Sequence, residues 1–171
     1  MTFVTFNLSL DCHLDVAKYL IEKGANLSAE DTRTQSPLHL AAFQGYKDVV
    51  KYLIEHGANV NAEDEDKRTP LYNAAWDGHT DVVKYLIEHA ANVNVVDTKN
   101  QTPLYKAAEW GHTDVVKYLV QQGANINARN NANKRPREVA LEYGNEEAAK
   151  CLLEYEKILK VKNAPNVSQM S

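Results

Sequence analysis

Six histidines and two cysteines are the side chains with which this chain could hold a transition metal, and its 23 acidic residues are those that could move protons. Metal ligation needs His, Cys or carboxylate groups at short fixed spacings, and nucleophilic or metalloprotease chemistry has its own local signatures. Neither pattern occurs: the histidines are scattered singly, Cys12 and Cys151 stand at opposite ends, and GxSxG, HExxH and phosphate-loop motifs are absent. The glycines also stand alone, so a phosphate cradle has nothing to build on. The paired carboxylates Glu63 with Asp64 and Glu146 with Glu147 read as solvated charge. No enzyme, metal or cofactor is expected from these residues.

What does recur is an interval. Pro37, Pro70, Pro103 and Pro136 are 33 residues apart, as are Gly45, Gly78, Gly111 and Gly144. Asp15, Asp48, Asp81 and Asp114 keep the same interval, as do Tyr19, Tyr52, Tyr85 and Tyr118, and Asn26, Asn59, Asn92 and Asn125. Five series in one phase identify a repeat array, in which neighbouring units bury a continuous core. The complete units begin at Asp31, Asp64 and Asp97. Their TPLH or TPLY, paired alanines, GH, DVVKYL and GAN followed by VN or IN resemble the ankyrin repeat family, over roughly residues 1–155. The resemblance implies an all-α solenoid of helix-turn-helix units with β-turn fingers, about four to five 33-residue repeats stacked in a row. On this register residues 1–30 form a degenerate N-terminal repeat, 31–129 three full repeats, 130–156 a C-terminal cap, and 157–171 a tail that is partly disordered, beyond Asn163 above all.

Local chemistry predicts the elements within a unit. Ser36, Thr69 and Thr102 precede the prolines, giving a hydroxyl N-cap followed by proline at the first helical position, where no N–H is required. The first helix of the second full unit is expected over Pro70 to Asp77, with Leu71, Ala74 and Ala75 inward. Thr80 and Thr113 are expected to cap a second helix, with Asp81 and Asp114 in its positive first turn. Val82, Val83, Leu86 and Ile87 form its apolar stripe, and the recurrent tyrosines sit within it with their hydroxyls at the surface. Gly57 and Gly123 stand where a left-handed C-cap is needed, and Ala90 occupies the same place between them. The family's glycine three residues before the proline is replaced by Thr34, Lys67, Asn100 and Asn133. Because threonine and lysine adopt positive φ poorly, the first two fingers are expected to deviate.

The ends differ from the middle, as exposed termini of a stack require. The last unit has Arg135 in place of the cap hydroxyl and adds Glu142, Glu146, Glu147 and Lys150, a wetter outer face. The first unit has Val4 and Cys12 where proline and glycine belong, leaving Phe3, Phe6, Leu8 and Leu10 poorly covered. The resemblance assigns His39, His79 and His112 to backbone hydrogen bonds near turns. His56 and His89 are expected exposed near a helix end, where a cation is mildly favoured.

A net charge of -4 and a pI near 5.9, with basic residues interleaved among acids, argue against a nucleic-acid surface. The first residues lack a basic leader, and no stretch approaches the roughly 18 apolar residues of a membrane span. Two unpaired cysteines suit a reducing compartment, cytoplasmic or otherwise intracellular, the nucleus and the interior of a host cell reached by a secreted effector included. The sequons at Asn7, Asn26, Asn100 and Asn166 then carry no glycan.

Function is therefore sought where the units differ. The Asp64 and Asp97 units diverge at Glu65/Thr98, Asp66/Lys99, Lys67/Asn100, Arg68/Gln101, Asn73/Lys106, Trp76/Glu109 and Asp77/Trp110. The resemblance places these on the finger tips and the exposed face of the first helix, which line a concave groove that binds a partner protein as a scaffold or adaptor would. The candidate contacts are Phe43, Gln44, Tyr72, Trp76, Asp77, Tyr105, Glu109 and Trp110, with Arg33, Arg68 and Lys99 on the fingers. Large aromatics are the usual anchors of such interfaces. The chain is expected to be monomeric, with self-association possible through its first unit. Two other readings stand: a structural fragment of a longer array, and a substrate of an asparagine hydroxylase at Asn61, Asn94 or Asn127.

Overall fold

The computed structural model describes residues 13–162. Phe3, Phe6, Leu8, Leu10, Cys12, the first helix of the first unit, and the tail beyond Lys162 lie outside them. Among the described residues there are nine helices and no strand. In order they are α1 (His13–Glu22), α2 (Pro37–Phe43), α3 (Lys47–Glu55), α4 (Pro70–Asp77), α5 (Thr80–Glu88), α6 (Pro103–Glu109), α7 (Thr113–Gln121), α8 (Pro136–Glu142) and α9 (Glu146–Lys162). No described helix is long and apolar enough to cross a membrane.

The helices form two layers. Even-numbered α2, α4, α6 and α8 stack on one another, and α1, α3, α5, α7 and α9 form a second stack behind them. The even-numbered helices pack far more intimately than the odd-numbered ones. Their contact face is alanine: Ala41, Ala42, Ala74, Ala75, Ala107, Ala108 and Ala140 are buried. Small side chains let helix axes approach, which accounts for the closer packing of the even layer. The core between the layers is filled by Leu38, Leu71 and Leu104 from the first helices and by Val50, Leu53, Val83, Leu86, Val116, Leu119 and Leu152 from the second.

Thr69 and Thr102 cap as their sequence predicts, each hydroxyl accepting the N–H of Tyr72 (3.3 Å) or Tyr105 (3.0 Å). Ser36 differs, its hydroxyl turning to His39 Nδ1 at 2.8 Å. At Arg135 the missing hydroxyl is replaced by Glu138, whose carboxylate accepts the Arg135 N–H at 2.8 Å and pairs with the same residue's guanidinium. These bonds hold the Glu138 carboxyl below the usual range. Thr80 and Thr113 do not cap the second helices. The caps are His79 and His112, and each threonine is the first helical residue, its hydroxyl donating to the carbonyl of Gly78 or Gly111. The histidine takes the non-helical position because its ring must reach the preceding repeat.

The left-handed C-cap continues through Ala90, at φ 67°, between Gly57 at 90° and Gly123 at 87°. All four fingers share one turn, so the expected deviation of the first two is corrected: Thr34, Lys67, Asn100 and Asn133 have φ between 56° and 62°. The reason is the residue that opens each finger. One carboxylate oxygen of Asp31 accepts the N–H groups of Arg33 and Gln35, and Asp64 does so for Asp66 and Arg68, Asp97 for Lys99 and Gln101. Asn130 repeats this with its amide oxygen. Two bonds per finger, charge-assisted in the first three, outweigh one unfavourable φ. The fingers are also tied in series, Glu65, Thr98 and Asn131 donating to the carbonyls of Arg33, Asp66 and Lys99.

At the other end α9 continues through Lys162 instead of stopping near 156. Glu156 stands where earlier units have glycine or Ala90, so nothing imposes a left-handed stop. It pairs instead with Arg137 at 3.1 Å.

Ala90→Gly is expected to stabilise the protein by about 1 kcal/mol, since glycine adopts positive φ without a Cβ penalty. In a chain of this size that is a rise of roughly 2–4 °C in Tm by calorimetry; a fall would show that Ala90 is not strained.

Candidate functional site

The candidate residues separate into three groups according to how the repeats pack. Tyr72 and Tyr105 are the first group, and they are corrected: both are buried and offer a partner no surface. Each does what the histidine does one unit earlier. His39 Nδ1 accepts the backbone N–H of Ser36, so its proton sits on Nε2, which donates to Arg68 O at 3.0 Å in the next finger. The longer tyrosines reach deeper: Tyr72 Oη donates to Asp97 Oδ2 at 2.8 Å, and Tyr105 Oη accepts from Asn130 Nδ2 at 2.9 Å. Burial raises both phenols, that of Tyr105 to about 12. Burial also lowers the pKa of His39. Asn73, grouped with the variable surface in the sequence, is likewise buried, its amide facing His39 O.

Trp76 heads the second group. Its ring is half-buried and surrounded: edge-to-face with Phe43 at 6.4 Å and Tyr72 at 6.1 Å, with the Arg68 guanidinium 5.3 Å and Lys106 Nζ 4.8 Å from its centroid. Lys106, from the next repeat, also binds Glu109 at 2.6 Å, and both side chains are largely covered. Arg68 pairs with Asp66 at 2.8 Å. Trp76, Arg68 and Glu109 thus form one inter-repeat cluster that fastens Phe43, α4, α6 and the second finger together. Cation–π contacts of this kind are worth about 0.5–1 kcal/mol each when partly exposed.

The third group faces solvent: Arg33, Gln44, Asp77, Lys99 and Trp110. Asp77 lies 2.8 Å from His79 Nε2. Trp110 is 58% exposed, the largest uncovered ring on the even-helix face, and no ring or side-chain hydrogen bond engages it among the described residues. Phe43 lies between the groups, 38% exposed with its edge against Trp76. Tyr143, which was not among the sequence candidates, is 61% exposed and stands in Trp110's position one unit later, directly before the glycine. Its offset from Gly144 was the available signal.

Four further histidines and several asparagines have structural partners among the described residues. His79 and His112 Nε2 lie 2.9 and 3.0 Å from the carbonyls of Phe43 and Trp76, one repeat back. Asn145 does the same with Ala108 and Glu109. His56 and His89 hydrogen-bond the carbonyls of Tyr52 and Tyr85 and stack on their rings at 4.0 Å. Asn61 and Asn94 bridge units: their amides donate to Ala90 O and Gly123 O, and their oxygens accept from Asn92 and Asn125 N–H. No group of three or more His, Cys, Asp or Glu able to hold a metal occurs among the described residues.

A family model described as ankyrin repeats, in 3 copies, matches residues 8–97 and 91–163. No curated protein matches the chain.

Two outcomes follow from the three groups. Trp76→Ala is expected to lower unfolding free energy by about 2 kcal/mol, below the full cost of emptying a core tryptophan site, whereas Trp110→Ala changes it by less than about 0.5 kcal/mol. Urea melts decide between them. Burial holds the folded His39 below its ordinary pKa, to which it returns on unfolding, so the unfolded chain binds more protons and stability falls as pH drops below about 6.5. His39→Tyr, the residue used one unit later, is expected to flatten that part of a Tm–pH profile between pH 7 and 5.

Proposed function

Because the chain belongs to the ankyrin repeat family, whose members generally serve as protein–protein interaction modules, we propose that it binds a partner protein on the face formed by the even-numbered helices and the fingers. One observation carries this reading. Packing explains the rings at Tyr72, Tyr105 and Trp76, and it does not explain Trp110, which keeps more than half its surface in water. A solvated indole costs solubility and gains a few kcal/mol when a partner covers it. The exposed polar residues Gln44 and Asp77, at Trp110's position in the two preceding units, and Arg33 and Lys99 on the fingers would set selectivity along the stack. Phe43 adds apolar surface at the other end.

The module acts as a scaffold or adaptor, with binding and no chemistry of its own. We place it in a reducing intracellular compartment, where the buried Cys151 thiol, raised in pKa by desolvation, stays unreactive.

Affinity capture from the source cell tests the surface. Trp110→Ala is expected to lose the captured partner with Tm unchanged, while Asp114→Ala, on the opposite helix layer, retains it. Equal capture by both variants would refute binding through the even-helix face.

A further inference from the structure

We propose that Trp110, with Asp77 on one side and Tyr143 and Glu146 on the other, forms a recognition site for a basic polypeptide segment, an arginine or lysine of which rests on the indole. This rests on the partner-binding role of the even-helix face and fixes one contact on it and the chemistry of that contact.

Contacts between repeats hold these residues side by side. Asp77 ends α4, and Trp110 and Tyr143 are the C-caps of α6 and α8. His112, two residues after Trp110, touches both chain neighbours of Asp77: its Nε2 lies 3.0 Å from Trp76 O, and its ring fills the space over Gly78. Asn145, two residues after Tyr143, does the same to Trp110, donating to Glu109 O at 2.7 Å and packing over Gly111. Glu146 follows Asn145 directly. Trp110 therefore stands between the turn that begins at Asp77 and the turn that carries Tyr143 and Glu146. Packed helices lie about 8–10 Å apart, so a cation on the indole has a carboxylate one helix spacing away on either side.

The charge of this edge is negative. The exposed ionised groups on the turns beside the rings are Asp77, Asp114, Glu146 and Glu147, against Lys117 and Lys150 one helical turn further on. Lys117 lies 3.8 Å from Asp114, and Asp81, one unit back, is 3.7 Å from Lys47. The acids that directly precede the rings are paired, Glu109 with Lys106 and Glu142 with Lys134. Asp77 has only the His79 imidazole beside it, and Glu146 and Glu147 have no cation in ion-pair range among the described residues. Lys99 and Arg129 belong to the fingers, at the opposite ends of the first helices.

The protein builds the completed arrangement once, at Trp76. There the ring has two cations beside it, Arg68 and Lys106, each held by a carboxylate, Asp66 at 2.8 Å and Glu109 at 2.6 Å. Trp110 has an exposed ring with carboxylates on both sides, and no cation lies over it among the described residues. A basic side chain placed there gains from the indole face and from the surrounding carboxylates, and an acidic segment is repelled.

Panning a random-peptide display library on the full chain, followed by titration of one enriched synthetic peptide, tests this. Enriched sequences are expected to carry Arg or Lys. Trp110→Ala is expected to weaken the titrated peptide tenfold or more, with Tm unchanged. The same loss is expected for Asp77→Gln combined with Glu146→Lys, substitutions that introduce the residue types of Gln44 and Lys47 at the equivalent positions of the first full unit. Enriched peptides without basic residues, or affinity within twofold for the double variant, would overturn the inference. If such peptides are still lost with Phe43→Ala or Trp110→Ala, the even-helix face binds and only this chemistry is wrong. Peptides insensitive to Phe43, Trp110 and Tyr143 alike overturn both readings, and a library yielding no binder overturns this one.

Discussion

A histidine ring resting on a glycine one repeat back sets how close two units can come. A Cβ built on Gly45 would lie 2.4 Å from His79 Nδ1, and one on Gly78 would lie 2.5 Å from His112 Nδ1. Gly111 has the same relation to the Asn145 amide at 2.6 Å. The glycine is thus required twice, by its positive φ and by the ring that occupies the space of the absent side chain. From there the histidine reaches a carbonyl at the end of the previous first helix, a group left unsatisfied by the helix itself. Close approach also demands alanine along the even layer.

The other ties between units repeat this logic with different atoms. On the finger side, His39, Tyr72 and Tyr105 each reach forward to the next finger, whose opening Asp or Asn is already folding its own turn. On the opposite side Asn61 and Asn94 reach forward with both ends of the amide. Every buried polar group recruited this way has a partner one repeat away, so a unit alone would leave several unsatisfied. That is the physical content of cooperativity in such a stack. The last unit departs from it. Glu138, at the place of the reaching His or Tyr, turns back to Arg135, and Leu141, where other units have alanine, is 54% exposed.

The recurrence of residues made the architecture readable in advance because each recurring type has a local reason. Threonine before proline, aspartate in a first turn and glycine at positive φ act within a few residues of themselves. Ala90 and the Asn positions of the fingers could be placed for the same reason. The strain expected at Thr34 and Lys67 is present in φ, but the turns do not deviate because the Asp31 and Asp64 carboxylates hold them. Thr80 and Thr113 fall one position inside their helices, because the demand on the preceding histidine comes from another repeat.

The surface was less legible. Subtracting what recurs every 33 residues does isolate what packing within a unit leaves free, yet Trp76 and Asn73 vary between units and are engaged all the same. Their partners are Arg68, Lys106, Phe43 and His39, on elements that meet only when repeats stack. Trp110 and Tyr143, equal in offset from their glycines, remain uncovered, while Tyr72 and Tyr105, equal in type, are buried. The sequence by itself determined the unit, its helices, caps and turns, because these depend on neighbours along the chain. Only the tertiary structure decided which aromatics face water, because covering a ring depends on side chains some 30 residues distant that stacking brings into contact.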